Sequence, residues 1–221
     1  MNLRADQQLH FGDGERHHIA DVAQGWPVDG YKRVDLSRLP GWLRNSMFGR
    51  STFGQFKDHP LNPDTVTAHK TLSRLLDGQS LIPTSWTLEP EEIRRRLVDT
   101  LNPSAFENLV VSLLQLENPK EIWHQTGGPG DGGIDGIGSN EDGEITGLMQ
   151  AKLNAWDTPE LTQGANGDYQ ANYYAAVLIP DQPIPPTDGT ILLDLQWITA
   201  AVRRHYRSLP QARAMRIGPA K

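Results

Sequence analysis

The chain has 221 residues, a net charge of −6, 37% hydrophobic residues, 21 glycines, 16 prolines and no cysteine. This length suits one domain with a sizeable extension, or two small ones. The lack of cysteine excludes disulfides, thiolate zinc sites and a cysteine nucleophile. The opening MNLRADQQLHFGDGE lacks the apolar segment of a signal peptide, and no run approaches a membrane span, so a cytoplasmic protein that makes no membrane contact is expected.

Residues 1–30 are polar and glycine-punctuated and read as loop and short strand. Residues 31–57 then interleave Lys32, Arg33, Arg38, Arg44, Arg50 and Lys57 with Tyr31, Trp42, Phe48, Phe53 and Phe56, against a single acid, Asp35. Cations attract phosphates and exposed rings stack on bases. Lys32, Arg33, Arg38, Arg44 and Arg50 are therefore candidate nucleic-acid contacts. The competing reading is a loop-rich subdomain whose aromatics form a small core and whose charges are solvated. Residues 64–76 fit a helix with Val66, Leu72, Leu75 and Leu76 inward and Gly78 just past its end. Residues 90–101 fit another, with Glu91 and Glu92 in the first turn and Ile93 and Leu97 four apart.

Asn102-Pro103 is a helix start, a capping side chain followed by proline at the first helical position. Phe106, Leu109, Val110, Leu113 and Leu114 form one apolar face, which Glu107 flanks. Residues 121–126, 133–138 and 148–153 read as strands, 157–173 as a weak helix interrupted by Gly164 and Gly167, and 174–179 as a buried strand. Residues 190–195 are a last strand or the lead-in to a helix over 196–209. Arg203, Arg204 and Arg207 fall in the last turns of that helix, where cations complement its dipole. The charge divides unevenly along the chain. Residues 1–100 hold 13 basic and 13 acidic residues, whereas 101–221 hold 8 and 14.

Between Gly127 and Lys152 the sequence is GGPGDGGIDGIGSNEDGEITGLMQAK. A glycine-rich approach delivers Asp135 onto a short apolar segment, an acidic turn follows, and a second segment carries Gln150-Ala151-Lys152. Strand side chains alternate faces, so Gln150 and Lys152 share one and Met149, Ala151 and Leu153 take the other. Pairing through a turn at 140–143 sets Asp135 beside Gln150 and Lys152. A carboxylate, a carboxamide oxygen and an ammonium around one point suit a hard divalent cation and a phosphate ester. Lys152 there would orient or deprotonate water, or neutralise charge on the phosphate; elsewhere it would be an ordinary strand lysine.

Other readings of these residues are weaker. Gly128-x-Gly130-x-x-Gly133 matches a dinucleotide fingerprint in form, but a strand-like piece follows where a helix is needed. A calcium-binding repeat of the GGxGxD type needs tandem copies, and there is one. Asp131 reads as a solvated loop acid, His124 as a structural strand histidine, and His17-His18 has no partners for a metal. Gln163 is a polar position whose alignment the nearby glycines obscure.

Phe106-Glu107, GDGGIDG and QAK together resemble the Mrr-like restriction endonucleases of the PD-(D/E)XK nuclease superfamily, over residues 102–209. Gln150 stands where the superfamily at large has an acid, which resembles the Mrr-like branch. The resemblance implies an α/β fold with an α-β-β-β-α-β core, a central mixed sheet flanked by helices, and the predicted elements follow that order. A nuclease domain is expected at 91–221, behind an N-terminal extension or small domain at 1–90 that lies outside the resemblance and whose basic, aromatic stretch suits DNA or partner binding. The resemblance adds the Ala151 carbonyl to Asp135 and Gln150 as ligands of Mg²⁺ or Mn²⁺, and makes Glu107, Gln150 and Lys152 catalytic alongside Asp135. The implied activity is metal-dependent hydrolysis of DNA phosphodiesters in restriction or defence against foreign DNA. Two alternatives stand beside it: a catalytically weak DNA- or partner-binding module, and a subunit active only with a separate helicase, methylase or sensor. Homodimerisation is left open.

Overall fold

A computed structural model describes residues 8–10, 16–18, 32–47, 56–81, 84–126, 133–155, 171–180 and 189–220. The chain divides into two units, Met1–Arg33 and Val34–Lys221. In the first, β1 (Gln8–His10) and β2 (Arg16–His18) form an antiparallel pair with Leu9 opposite His17.

The second unit is built on a five-stranded mixed sheet in the order β3-β4-β5-β6-β7. Its strands are β3 (Ile122–Gln125), β4 (Gly136–Ser139), β5 (Ile145–Ala155), β6 (Asn172–Pro180) and β7 (Thr190–Leu193). The first three pair antiparallel, and β6 and β7 add in parallel. Helix α4 (Pro103–Glu117) packs on β3 and β5, α5 (Leu195–His205) packs on β6 and β7, and the two helices touch. The sheet flanked by helices is the expected α/β architecture. The helix predicted over 157–173 falls largely on 156–170, outside the described residues, and Tyr173 already belongs to β6. Among the described residues no helix is long and apolar enough to cross a membrane.

Local chemistry explains the boundaries. The Asn102 side chain accepts from the Ala105 N–H at 2.9 Å and Pro103 opens α4. Asp194 does the same for α5 through the Trp197 N–H at 2.8 Å. The β4–β5 turn is closed by the Asn140 side-chain oxygen, which accepts from the N–H groups of Asp142 and Glu144 at 3.0 and 2.9 Å. Gly143 takes the left-handed conformation there, φ 81°. Trp123 lies across Gly138 and Gly147, where an added Cβ would come within 2.6 Å of its ring. It meets Tyr174 edge-on at 5.4 Å. Along β5, Met149, Ala151 and Leu153 are buried in the helix-side core.

Upstream of α4, the elements bury their apolar faces in the same core. These are α1 (Gly41–Met47), α2 (Ala68–Leu76) and α3 (Pro90–Thr100), which contribute Leu43, Leu75, Ile93 and Leu97. The described residues between 34 and 90 thus belong to the unit that holds the sheet. Helix α2 begins at Ala68 rather than residue 64, because the Thr67 hydroxyl caps it by accepting from the Lys70 N–H. Leu76, expected inward, is exposed at its end. The C-terminal helix is also shorter than expected, and α6 (Pro210–Ala214) follows after a turn.

Arg96 ties α3 to the segment before it and to the C-terminal segment. Its side chain is buried and donates to Glu92 at 2.9 Å and to the backbone carbonyls of Ser85, Met215 and Arg216 at 3.0, 3.1 and 2.8 Å. Thr87 bridges to Ile217 alongside. Glu92 also accepts from Arg95, and these guanidiniums hold its carboxyl down at about 2, against the pull of burial. A depressed acid stabilises the fold above its unfolded pKa, and that stabilisation is lost as pH falls from about 4.5 towards 2. With a third of the side chain exposed, solvent screening reduces the contribution to about 1–2 kcal/mol. Glu92→Gln is therefore expected to lower unfolding free energy by about that much at pH 7. It should also shrink the acid-induced loss between pH 4.5 and 2, as read by urea denaturation across pH. An unchanged acid limb would show that the Arg95 and Arg96 contacts contribute no net stability.

Candidate functional site

The site lies where β3 and β4 stop and β5 runs on. The β3–β4 ladder stops at Gln125 opposite Gly136, and the β4–β5 ladder at Gly136 opposite Met149. Strand β5 continues to Ala155, paired on its other side with β6. Asp135 stands at this divergence. Its N–H donates to the Met149 carbonyl at 2.8 Å, and its own carbonyl accepts from the Thr126 N–H at 3.1 Å. Its carboxylate Oδ2 accepts from the Ala151 N–H at 2.8 Å. The expectation that Asp135 lies within a strand over 133–138 is corrected: β4 begins at Gly136. The carboxylate therefore aims sideways at the β5 backbone, in place of the next rung.

A strand residue's N–H and C=O leave on the same side. The hydrogen bond to Asp135 thus turns the Ala151 carbonyl towards the carboxylate's edge of β5. Gln150 is 8% exposed, and its Oε1 is buried with no hydrogen-bond partner. Leaving such an oxygen unsatisfied costs about 1–3 kcal/mol. Its amide nitrogen packs on Gly133, where a Cβ would stand 2.8 Å from Nε2 and where φ is 82°. The positive φ favours glycine there, whereas the Gln150 amide end could shift to admit a Cβ. Lys152 follows on the face of Gln150 and is exposed.

Glu107 is half-buried on α4, and its Oε2 accepts from the Gln125 side-chain amide at 3.1 Å. Gln125 pairs with Gly136, the neighbour of Asp135. The helix acid is in this way fastened to the strand end beside Asp135. Sequence reasoning passed over both Gln125 and Thr126; their only signal is that they directly precede the glycine run.

Three oxygens, from Asp135, Gln150 and the Ala151 carbonyl, are hard donors that suit Mg²⁺ or Mn²⁺ rather than a soft metal. The orphaned Gln150 oxygen is the observation that fits a cation. Among the described residues no three of His, Asp and Glu are grouped to hold a metal. One carboxylate with neutral oxygens leaves coordination to be completed by water and a phosphate.

The basic candidates differ in their surroundings. Lys32 and Arg33 are exposed, and Arg33 closes the first unit. Arg38 donates to the Gln79 carbonyl at 3.3 Å, Arg44 is half-buried on α1, and Arg50 lies outside the described residues, as do Asp131 and Gln163. Trp42 is a core residue, 7% exposed and edge-on to His59 at 5.4 Å, whereas Phe56 is exposed. His124 is exposed on β3. At the C-terminal end Arg204 and His205 both bind the Glu117 carboxylate, and Arg207 donates to the Tyr206 hydroxyl at 3.0 Å. Arg216 donates to the Thr84 carbonyl at 2.6 Å.

Residues 98–169 match the Mrr_cat family model, described as restriction endonuclease. The match runs from the end of α3 through β5 and includes Glu107, Asp135, Gln150 and Lys152. The match and the mixed sheet are consistent with an Mrr-like nuclease domain of the PD-(D/E)XK type. No curated protein and no solved structure matches the chain.

Asp135→Ala leaves the buried Ala151 N–H without its acceptor and should lower unfolding free energy by about 1–3 kcal/mol in metal-free buffer. Asp135→Asn keeps an oxygen at that position and should lose less. Equal stability of the wild type and the alanine variant in urea melts would show that the carboxylate does not hold this strand end.

Proposed function

With the restriction-endonuclease domain as premise, we propose that the chain is a divalent-metal-dependent endonuclease that hydrolyses DNA phosphodiester bonds, in restriction or defence against foreign DNA. The observation that carries the reading is the buried Gln150 oxygen without a hydrogen-bond partner, next in sequence to Ala151, whose N–H holds the Asp135 carboxylate. Asp135, Gln150 and the Ala151 carbonyl would hold Mg²⁺ or Mn²⁺. The ion supplies a Lewis acid for the phosphate and a more acidic water.

The chain's own groups divide the remaining work. Lys152, exposed beside Gln150, donates to the attacking water or to a phosphate oxygen and offsets the charge that builds there. Glu107, held by Gln125, is the second carboxylate, placed to orient water or to steady the cation at a distance. Lys32, Arg33, Arg38, Arg44 and Arg50 hold the DNA backbone. In functional terms, residues 91–221 carry the chemistry and 1–90 the recognition of DNA or a partner. A helicase, methylase or sensor would be a separate chain.

A plasmid assay with Mg²⁺ and Mn²⁺, on methylated and unmodified DNA, tests the reading. Nicking or linearisation that stops on chelation supports it. Silence on every substrate turns the reading to a binding module that keeps the fold.

Lys152→Ala should reduce the cleavage rate about 10²–10⁴-fold while DNA binding in metal-free buffer is kept. A wild-type rate would remove Lys152 from the chemistry. Replacing Arg33, Arg38 and Arg44 together by Ala should flatten the salt dependence of DNA binding by roughly 0.9 in log–log slope per lost phosphate contact. Replacing Arg203, Arg204 and Arg207 should change it far less. The opposite ranking would move the DNA contacts to the C-terminal end.

A further inference from the structure

We infer that Thr126 is a positioning residue for the candidate site: from the end of β3 it sets the placement of the Asp135 carboxylate. The inference rests on the nuclease reading for its catalytic consequence, but its geometry stands alone. Thr126 is the first residue past β3, and two of its groups grip the segment that leads into β4. Its backbone N–H donates to the Asp135 carbonyl at 3.1 Å, and its hydroxyl donates to the Ile134 carbonyl. Consecutive carbonyls are thus held by one residue, beyond the point where the β3–β4 ladder has ended.

This grip matters because of what approaches Asp135 on either side. Towards the N-terminus lies Gly133 at φ 82°, a conformation with little intrinsic preference to hold its neighbours in place. Towards the C-terminus, Gly136 packs so closely that a Cβ would come within 3.0 Å of Val111 and Met149 side-chain atoms. Asp135 is therefore flanked by one permissive position and one crowded one. Its N–H anchor to Met149 sets distance from β5 but leaves rotation about that bond. The Thr126 contacts on the opposite edge remove that rotation and hold the carboxylate in line with the Ala151 N–H. A ligand displaced by about 1 Å can cost 10²-fold in rate.

The backbone N–H donor survives any substitution except proline, so the side chain's part can be isolated. Thr126→Val keeps the shape and strand preference and removes only the hydroxyl; Thr126→Ser restores it. Two measurements on the full chain read the effect. Hydrogen–deuterium exchange at the Ala151 amide, without metal, reports whether Asp135 still covers it. Titration of plasmid cleavage with Mg²⁺, with DNA binding in metal-free buffer alongside, reports the functional consequence.

Thr126→Val is expected to exchange the Ala151 amide about tenfold faster. It should need about 10–100-fold more Mg²⁺ for half-maximal cleavage, or lose rate by that factor. Binding of DNA should be unaltered, and Thr126→Ser should recover both readouts to within about threefold. Unchanged Ala151 exchange in the valine variant overturns the inference. So does faster exchange spread evenly over the β-sheet amides, which would mean a general loss of stability. If the wild type neither binds metal nor cleaves, the nuclease reading fails, and selective exchange at Ala151 still decides whether Thr126 positions Asp135.

Discussion

The Asp135 carboxylate bound to the Ala151 N–H is the contact around which the candidate site is arranged. A β-strand that loses its neighbour presents bare N–H and C=O groups, and each must find another partner when buried. Strand β5 outruns β4 by several residues, so such a gap opens at Ala151. A carboxylate supplied by the residue just before β4 closes it. The Ala151 carbonyl leaves on that same edge, and the carboxylate is held to the strand that carries Gln150.

The scaffold around this point is rigid for reasons of packing. Trp123 fits across the sheet because Gly138 and Gly147 leave it room, and it is braced by Tyr174. Helices α4 and α5 bury the face of the sheet that carries Met149 and Ala151, which leaves Gln150 and Lys152 on the opposite one. The acid on α4, Glu107, is tied to Gln125, at the end of the neighbouring strand. Further away, Arg96 holds α3 to the C-terminal segment through the carbonyls of Met215 and Arg216 and to Ser85 through a third, and Glu92 balances its buried charge.

With glutamine rather than an acid at position 150, the oxygen set carries one formal negative charge. A hard cation binds more weakly as ligand charge falls, so on the proposed reading a DNA phosphate would supply a larger part of its coordination. Lys152 is exposed on the same face, so its charge is available to that phosphate instead of being spent inside the protein.

Much of this was legible in the chain itself. Asn102-Pro103 announces its helix because capping chemistry is local. The NEDG turn pairs β4 with β5 because asparagine and glycine close such turns. The alternation of Met149, Gln150, Ala151, Lys152 and Leu153 follows from strand geometry alone. What sequence could not decide depended on contacts between distant segments. Asp135 proved to lie ahead of its strand and to aim at a backbone N–H, since that depends on where β4 and β5 diverge. Trp42 went into the core because His59 and the helices cover it, a matter of neighbours rather than of the residue's own preference. Thr126 and Gln125 acquire their parts only when β3 is laid beside β4, for a side chain's hydrogen-bond partner is set by tertiary proximity and leaves no period in the sequence.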